Sequence, residues 1–64
     1  MAEYIIWNTI FQGYRPRDVN AKHGGIFAAQ RFPSRGAAID AAVMPGDLIE
    51  VVKDNGIPEI ISYS

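Results

Sequence analysis

The chain has 64 residues, of which 48% are hydrophobic and 20% are charged, and its formal net charge at pH 7 is −1. This length fits a single domain, and the hydrophobic fraction excludes a disordered chain. No apolar run approaches the ~20 residues of a membrane-spanning helix, and the lack of cysteine excludes disulfides, thiolate metal sites and cysteine nucleophiles. The first four residues hold no basic stretch ahead of an apolar one, so we expect no secretory signal and a cytoplasmic protein.

The first predicted element is a β-strand over residues 4–11, where β-branched and aromatic side chains dominate. Alternation places Trp7 and Phe11 on one face, as a candidate core pair, and Ile6 on the other. Both faces of this strand are therefore apolar. Glycine and proline then interrupt the pattern between residues 13 and 16.

A second strand is predicted over residues 26–32, returning antiparallel to the first after a polar connection that ends in His23-Gly24-Gly25. Ser34 then suits the N-cap of a helix from about Arg35 to Met44, which Pro45-Gly46 terminates. Helical spacing turns one stripe of side chains toward the sheet. The stripe consists of Ala38, Ile39, Ala42 and Val43.

The strongest local pattern is a β-hairpin in which strands 48–54 and 57–63 flank Asn55-Gly56. Asn-Gly between two apolar runs is typical of a two-residue type I′ turn. Because Pro58 cannot donate a backbone hydrogen bond, the last strand is predicted to be a sheet edge. The expected register pairs Asp54 with Ile57, Val52 with Glu59, and Glu50 with Ile61. It puts Leu48, Val52, Ile57, Ile61 and Tyr63 on one face, and Ile49, Val51 and Ile60 on the other.

In the order β-β-α-β-β, these elements predict a single α+β domain over residues 1–64. Its antiparallel sheet has about four strands, with one helix packed on one face. The other face would expose large apolar side chains, which soluble monomers rarely tolerate as a contiguous patch. We therefore expect a homodimer or a protein partner on that face. The interface candidates are Trp7, Phe11, Tyr14 and Tyr63.

Catalysis is not expected from this composition. A serine triad needs a histidine as its base. The only histidine, His23, lies beside two glycines in a predicted loop. Glu50 and Glu59 are predicted to face solvent on separate strands. One histidine and scattered carboxylates predict no metal site, and no motif predicts a cofactor.

The small net charge hides an asymmetry between two parts of the chain. Residues 13–35 carry five basic side chains and one acidic, whereas residues 36–64 carry five acidic and one basic. Arginine and aromatic side chains together suit phosphate contact and base stacking, so a nucleic-acid-binding module is an alternative function, weakened by the acidic second part. A dimeric binder of a small anionic ligand is a further alternative. The candidate binding residues are Arg15, Arg17, Lys22, His23, Arg31 and Arg35.

The layout also carries a family resemblance. Tyr4-Ile5-Ile6 opens a strand, residues 37–42 form an alanine-rich helix, and the strand over 49–52 turns at Asn55-Gly56. In this layout the chain resembles compact accessory proteins of phages and mobile elements, including some anti-CRISPR inhibitors of multi-subunit interference complexes. The resemblance implies a non-catalytic interaction protein that binds, and blocks or adapts, a protein or a protein–nucleic-acid complex.

Two shorter resemblances support the nucleic-acid alternative. Phe32-Pro33-Ser34 ahead of the helix is similar to the strand-to-helix step of AP2-type and integrase arm-binding domains. Pro45-Gly46-Asp47 entering the next strand resembles the second half of AbrB-type antitoxins. Both resemblances imply DNA recognition by a small β-rich domain.

Overall fold

Four antiparallel strands form one sheet in the order β2-β1-β3-β4. The computed structural model describes residues 2–54 and 56–63. Asn55 and the side chain of Tyr63, both named above, lie outside this description. A 3₁₀ turn at Ile26–Ala28 precedes the single helix. The elements are β1 (Glu3–Asn8), β2 (Gly13–Tyr14), α1 (Arg35–Ala41), β3 (Asp47–Val52) and β4 (Pro58–Tyr63).

Helix α1 covers one face of the sheet. Its Ala38, and Ala42 at its end, pack with Phe32 on Ile6 of β1 and Ile49 of β3. Alanine has almost no side chain, so the helix can lie close to the strands. This arrangement confirms the predicted α+β class, a four-stranded antiparallel sheet with one helix.

The start of α1 is as predicted, but its end is not. The hydroxyl of Ser34 accepts a hydrogen bond from the amide of Ala37 at 3.1 Å, which makes Ser34 the N-cap. The helix ends at Ala41, because Ala42 takes a non-helical ψ of 72°. Val43 therefore leaves the predicted stripe and is 77% exposed, and Ile39 is exposed as well.

The second face of the sheet is also covered, which corrects the expectation of an open apolar face. Ile5 of β1 and Val52 of β3 are buried there with Ala29, and the partly buried Ile26 and Tyr14 pack against them. The covering segment contains the 3₁₀ turn and is bridged to the chain after β2 at Pro16 and Ala29. The sheet itself therefore gives weaker grounds for a homodimer than the sequence suggested.

The predicted strand over residues 26–32 is wrong for most of its length. Residues 26–28 form the 3₁₀ turn, and only Phe32 pairs with β1, through two backbone hydrogen bonds to Tyr4 of 3.0 and 2.8 Å. The second strand is instead the short β2, so the predicted element order is matched only in part. β1 ends at Asn8, whose side-chain oxygen accepts from the amides of Ile10 and Phe11, both at 2.9 Å, in the turn that leads to β2.

The C-terminal hairpin forms with a different register. Val52 pairs with Pro58, and five residues lie between these two strands instead of two. The amide of Gly56 donates to the carbonyl of Lys53 at 2.9 Å. This hydrogen bond lies one residue earlier than the predicted one, which would join residues 54 and 57. The predicted pairs Val52–Glu59 and Glu50–Ile61 are therefore wrong, and the predicted pair Asp54–Ile57 lies outside the paired strand residues. The observed pairs include Val51 with Glu59 and Glu50 with Ile60.

A bulge between Ile49 and Glu50 shifts the hairpin register again. Because Glu50 pairs with Ile60, the next residue, Ile61, lies on the opposite face with Ile49. It packs with the cluster under α1, and not with Leu48 and Val52 as predicted. The edge position of β4 is confirmed, and its first residue is Pro58, where a missing amide donor does least harm.

Two glycines separate the effect of backbone conformation from the effect of space. A Cβ atom added to Gly56 or to Gly36 would meet no atom within 4 Å, but only Gly56 has a positive φ, of 75°. Gly56→Ala is expected to lower the free energy of unfolding by about 1 kcal/mol. Gly36→Ala in α1 is expected to raise it by roughly 0.5–1 kcal/mol. Urea denaturation of both variants measures the difference, and equal effects would contradict the positive-φ turn.

Candidate binding surface

One surface of the protein is built from loops and not from strands or the helix. It consists of the turn 9–12 and the segment 15–30, and we call it the loop face. Three sets of backbone hydrogen bonds fasten the segment: Tyr14 exchanges two with Gly24, at 2.8 and 3.2 Å, Arg17 donates to Ala28 at 3.0 Å, and Gln30 donates to Arg15 at 2.8 Å. The long connection is therefore tied to itself and to the sheet.

Large apolar side chains point to solvent from this surface. Phe27 is 91% exposed and Val19 is 90% exposed, although neither is at a chain end. Phe11 is 57% exposed and stacks on the ring of His23, with centroids 4.9 Å apart and planes 21° apart. Phe11 is thus not the core partner of Trp7 that the sequence predicted, because β1 ends at Asn8 and Phe11 lies in the turn.

A groove of about 200 Å³ opens in the loop face. Its polar lining comes from one basic residue, one histidine, one amide and one acid, and its apolar lining from small side chains and a methionine. His23 also lines a neighbouring shallow depression with Phe11 and Lys22. The groove residues are Arg15, Pro16, Val19, Ala21, His23, Gln30, Met44 and Asp47.

Arg15 is half-buried, not a free surface charge. Its Nε donates to the side-chain oxygen of Gln30 at 3.3 Å, and its Nη1 donates to the carbonyl of Ala41 at the end of α1 at 3.0 Å. A guanidinium held at two points keeps a fixed orientation. Charge reversal here would also disturb the contact between the loop face and the helix.

The other predicted basic residues divide into bonded and unbonded ones. Arg17 donates to the carbonyl of Phe27 at 2.9 Å, and Arg31 lies 3.7 Å from the carboxylate of Glu3. For Lys22 and Arg35, both exposed, no hydrogen bond or ion pair is found among the described residues. The groove and the depression bring Arg15, Lys22 and His23 together, whereas Arg35 lies at the start of α1.

A buried carboxylate lies on the sheet where the sequence predicted a solvent-facing one. Glu50 is only 8% exposed, and its Oε1 accepts a hydrogen bond of 2.7 Å from the hydroxyl of Tyr14. Burial, then this hydrogen bond and the charge of Glu50, raise the pKa of Tyr14 to about 12. The ring of Trp7 meets the ring of Tyr14 edge-on at 4.9 Å. These two interface candidates thus make contacts within the fold.

No sequence signal pointed to this pair, because its two members lie 36 residues apart and meet only through the sheet. In the part of the chain that the structure describes, no three histidine or acidic side chains group closely enough to hold a metal ion. Of the helices in that same part, none is long and apolar enough to cross a membrane.

Comparisons with protein families, with curated proteins and with solved structures give no significant match to this chain. Its function is therefore inferred from the geometry and chemistry of the loop face.

The pKa of Tyr14 provides a test of the buried pair. Glu50→Gln should lower that pKa from about 12 toward the ordinary value of 10.0, because the negative charge beside the phenol is removed. Glu59→Gln, on the exposed part of β4, should leave it unchanged. The measurement is a pH titration of ¹³Cζ-labelled tyrosine by NMR, which resolves each ring.

The sign of the coupling to stability follows from the raised value. A phenol that holds its proton more tightly in the folded state stabilises the fold fully below pH 10 and loses this contribution as the pH rises through 12. Glu50→Gln should therefore weaken the alkaline loss of stability. An unchanged pKa of Tyr14 in this variant would contradict the assigned cause.

Proposed function

We propose that the protein is a non-catalytic binding protein that attaches to a macromolecular partner through its loop face and blocks or adapts that partner. The observation that carries the proposal is the near-complete exposure of Phe27 and Val19 on a loop that backbone hydrogen bonds hold in place. Exposed aromatic side chains with arginine nearby are typical of interface centres.

The fastening of the loop favours this function for a second reason. Ordering a flexible loop on binding consumes part of the interaction free energy, and a surface that is already ordered avoids this loss. The carbonyl of Phe27 accepts from Arg17, so one of the exposed aromatics is tied to a basic residue. Lys22 and His23 add basic groups to the same loop face, so a protein surface with an acidic rim is the complementary partner.

The biological setting that fits best is inhibition of a host defence complex by a phage or mobile-element protein in the cytoplasm. The support is the resemblance in layout to compact accessory proteins of that kind, together with the one-helix, four-strand architecture. The resemblance implies a protein that acts by covering a surface, and the loop face supplies apolar and basic groups for that purpose.

Nucleic-acid binding is the second candidate, favoured by the exposed side chains of Lys22 and Arg35. It ranks lower because three of the arginines have partners in the fold: Arg15 bonds Ala41, Arg17 bonds Phe27, and Arg31 pairs with Glu3. Few side chains are left to track a phosphate backbone, so we expect weak, salt-sensitive binding to DNA.

A homodimer is a further part of the proposal, and we propose the sheet edge as its interface. The outer side of β4 pairs with no strand among the described residues, and the exposed Ile60 lies in its centre. An unpaired edge strand is a template for a second chain. The two apolar faces that first suggested a dimer support it less, because α1 covers one and the segment with Ile26 and Ala29 covers Ile5 and Val52 on the other.

The decisive experiment replaces Phe27 and uses Val43, another exposed apolar residue, as the matched control. The immobilised chain captures its partner from the native host, and calorimetry with the purified partner then gives the affinity. Phe27→Asp should weaken binding by about 30-fold or more, as loss of a central aromatic does. Val43→Asp, outside the loop-face segments 9–12 and 15–30 and outside the groove lining, should change it by less than about threefold.

Equal affinities of the two variants would contradict the proposal. Sequence-selective binding to duplex DNA at physiological salt would instead favour the second candidate. A mass of twice the 7.1 kDa chain with loss of the dimer in Ile60→Asp would assign the partner role to a second copy through β4.

A further inference from the structure

The groove in the loop face has the size of a site for one side chain. Its volume is about 200 Å³, below the range of roughly 300–1,000 Å³ that pockets for drug-sized ligands occupy. A protein partner can fill such a groove with a single residue. The chemistry of the lining then decides which residue.

The guanidinium of Arg15 is the group that sets this chemistry. A guanidinium has five N–H donors, of which Arg15 uses one on Nε and one on Nη1. No buried side-chain nitrogen in the described part of the chain lacks a partner. Because no hydrogen bond from Nη2 is found there, Nη2 is not fully buried, and Arg15 lines the groove.

The rest of the lining is compatible with a carboxylate on a short apolar body. Pro16, Val19 and Met44 give apolar walls, and His23 and Gln30 add polar groups. They line the groove together with a guanidinium whose orientation is fixed, and a fixed guanidinium favours a planar, bidentate partner.

Asp47 is the one acidic residue in the lining, and its carboxylate is held within the fold. Its Oδ1 accepts from the amide of Asn8 at 2.8 Å, and its Oδ2 accepts from the backbone amide of Met44 at 3.1 Å. A second carboxylate in the groove is repelled by Asp47 and attracted by Arg15. It must therefore lie at the Arg15 end.

We infer that this groove binds a carboxylate carried on a short apolar body, supplied by the protein partner as an acidic side chain or as its C-terminal residue. The inference rests on the proposed function, since the groove belongs to the same loop face. Arg15 then has two tasks: two of its donors hold the loop to Gln30 and α1, and the remaining donors bind the carboxylate.

The test uses three small probes and needs no partner. N-acetyl-leucine carries a terminal carboxylate, N-acetyl-glutamic acid α-amide carries a side-chain carboxylate, and N-acetyl-leucinamide carries none. A carboxylate probe should shift the amide signals of Ala21, His23 and Gln30 in a saturable way, with a dissociation constant on the order of millimolar. The probe that binds more tightly identifies the source of the carboxylate.

Val19→Glu provides the matched variant, because Val19 lines the groove and its exposure leaves the fold unaffected. The added negative charge should weaken carboxylate binding at least tenfold. Val43→Glu makes the same change outside the groove lining and should leave the shifts as in the parent chain.

Equal shifts with N-acetyl-leucinamide, or no saturable shift with either carboxylate at 50-fold excess over the expected dissociation constant, would overturn the inference. Failure of the inference and failure of the proposed function are distinguishable. If the probes do not bind but Phe27→Asp still abolishes partner binding, only the carboxylate site is wrong. If the probes bind as described but Phe27→Asp has no effect on the partner, only the proposed function is wrong.

Discussion

The fold depends on one fully buried asparagine that joins two turns. Asn8 ends β1, and its side-chain oxygen accepts from the amides of Ile10 and Phe11, two and three residues later. Its side-chain nitrogen donates to the carbonyl of Pro45 at 3.0 Å and to the buried carboxylate of Asp47 at 2.8 Å. Every polar atom of this side chain is therefore used, and an unpaired group at the same place would cost about 1–3 kcal/mol.

This contact decides how the remaining chain is used. β1 ends at Asn8 and β2 at Tyr14, and the chain that follows β2 folds over the second face of the sheet, where Ile26 and Ala29 pack. The turn before β3 lies against the turn after β1. Gly46 in the turn before β3 has a φ of 87°, and its carbonyl accepts a hydrogen bond from the amide of Thr9 at 2.9 Å. The same geometry sets Asp47 and Met44 in the wall of the groove beside Arg15. A structural constraint at Asn8 thus shapes the binding surface.

The sequence predicted the elements that depend on local chemistry. The cap at Ser34, the edge position of β4 and the α+β class follow from residue types and spacing. Contacts between residues far apart in the sequence could not be predicted from it. The Asn8–Asp47 hydrogen bond joins residues 39 apart, and nothing in the strand pattern of residues 4–11 indicates that the strand ends at Asn8. Of the predicted binding residues, Arg15, Lys22 and His23 share a surface. The hydrogen bond between Tyr14 and Glu50 could not be predicted, because the two residues meet only across the sheet.

A double-mutant cycle at Asn8 and Asp47 tests this account most directly. Urea denaturation of Asn8→Ala, Asp47→Ala and the double variant gives their coupling free energy. A buried hydrogen bond between them predicts a coupling of about 1–2 kcal/mol, with Asn8→Ala alone destabilising by roughly 2–4 kcal/mol. The exposed pair Asn20→Ala and Asp40→Ala is the control, with coupling within about 0.3 kcal/mol. A coupling near zero at Asn8 and Asp47, or an Asn8→Ala variant as stable as the parent chain, would contradict the central role of this contact.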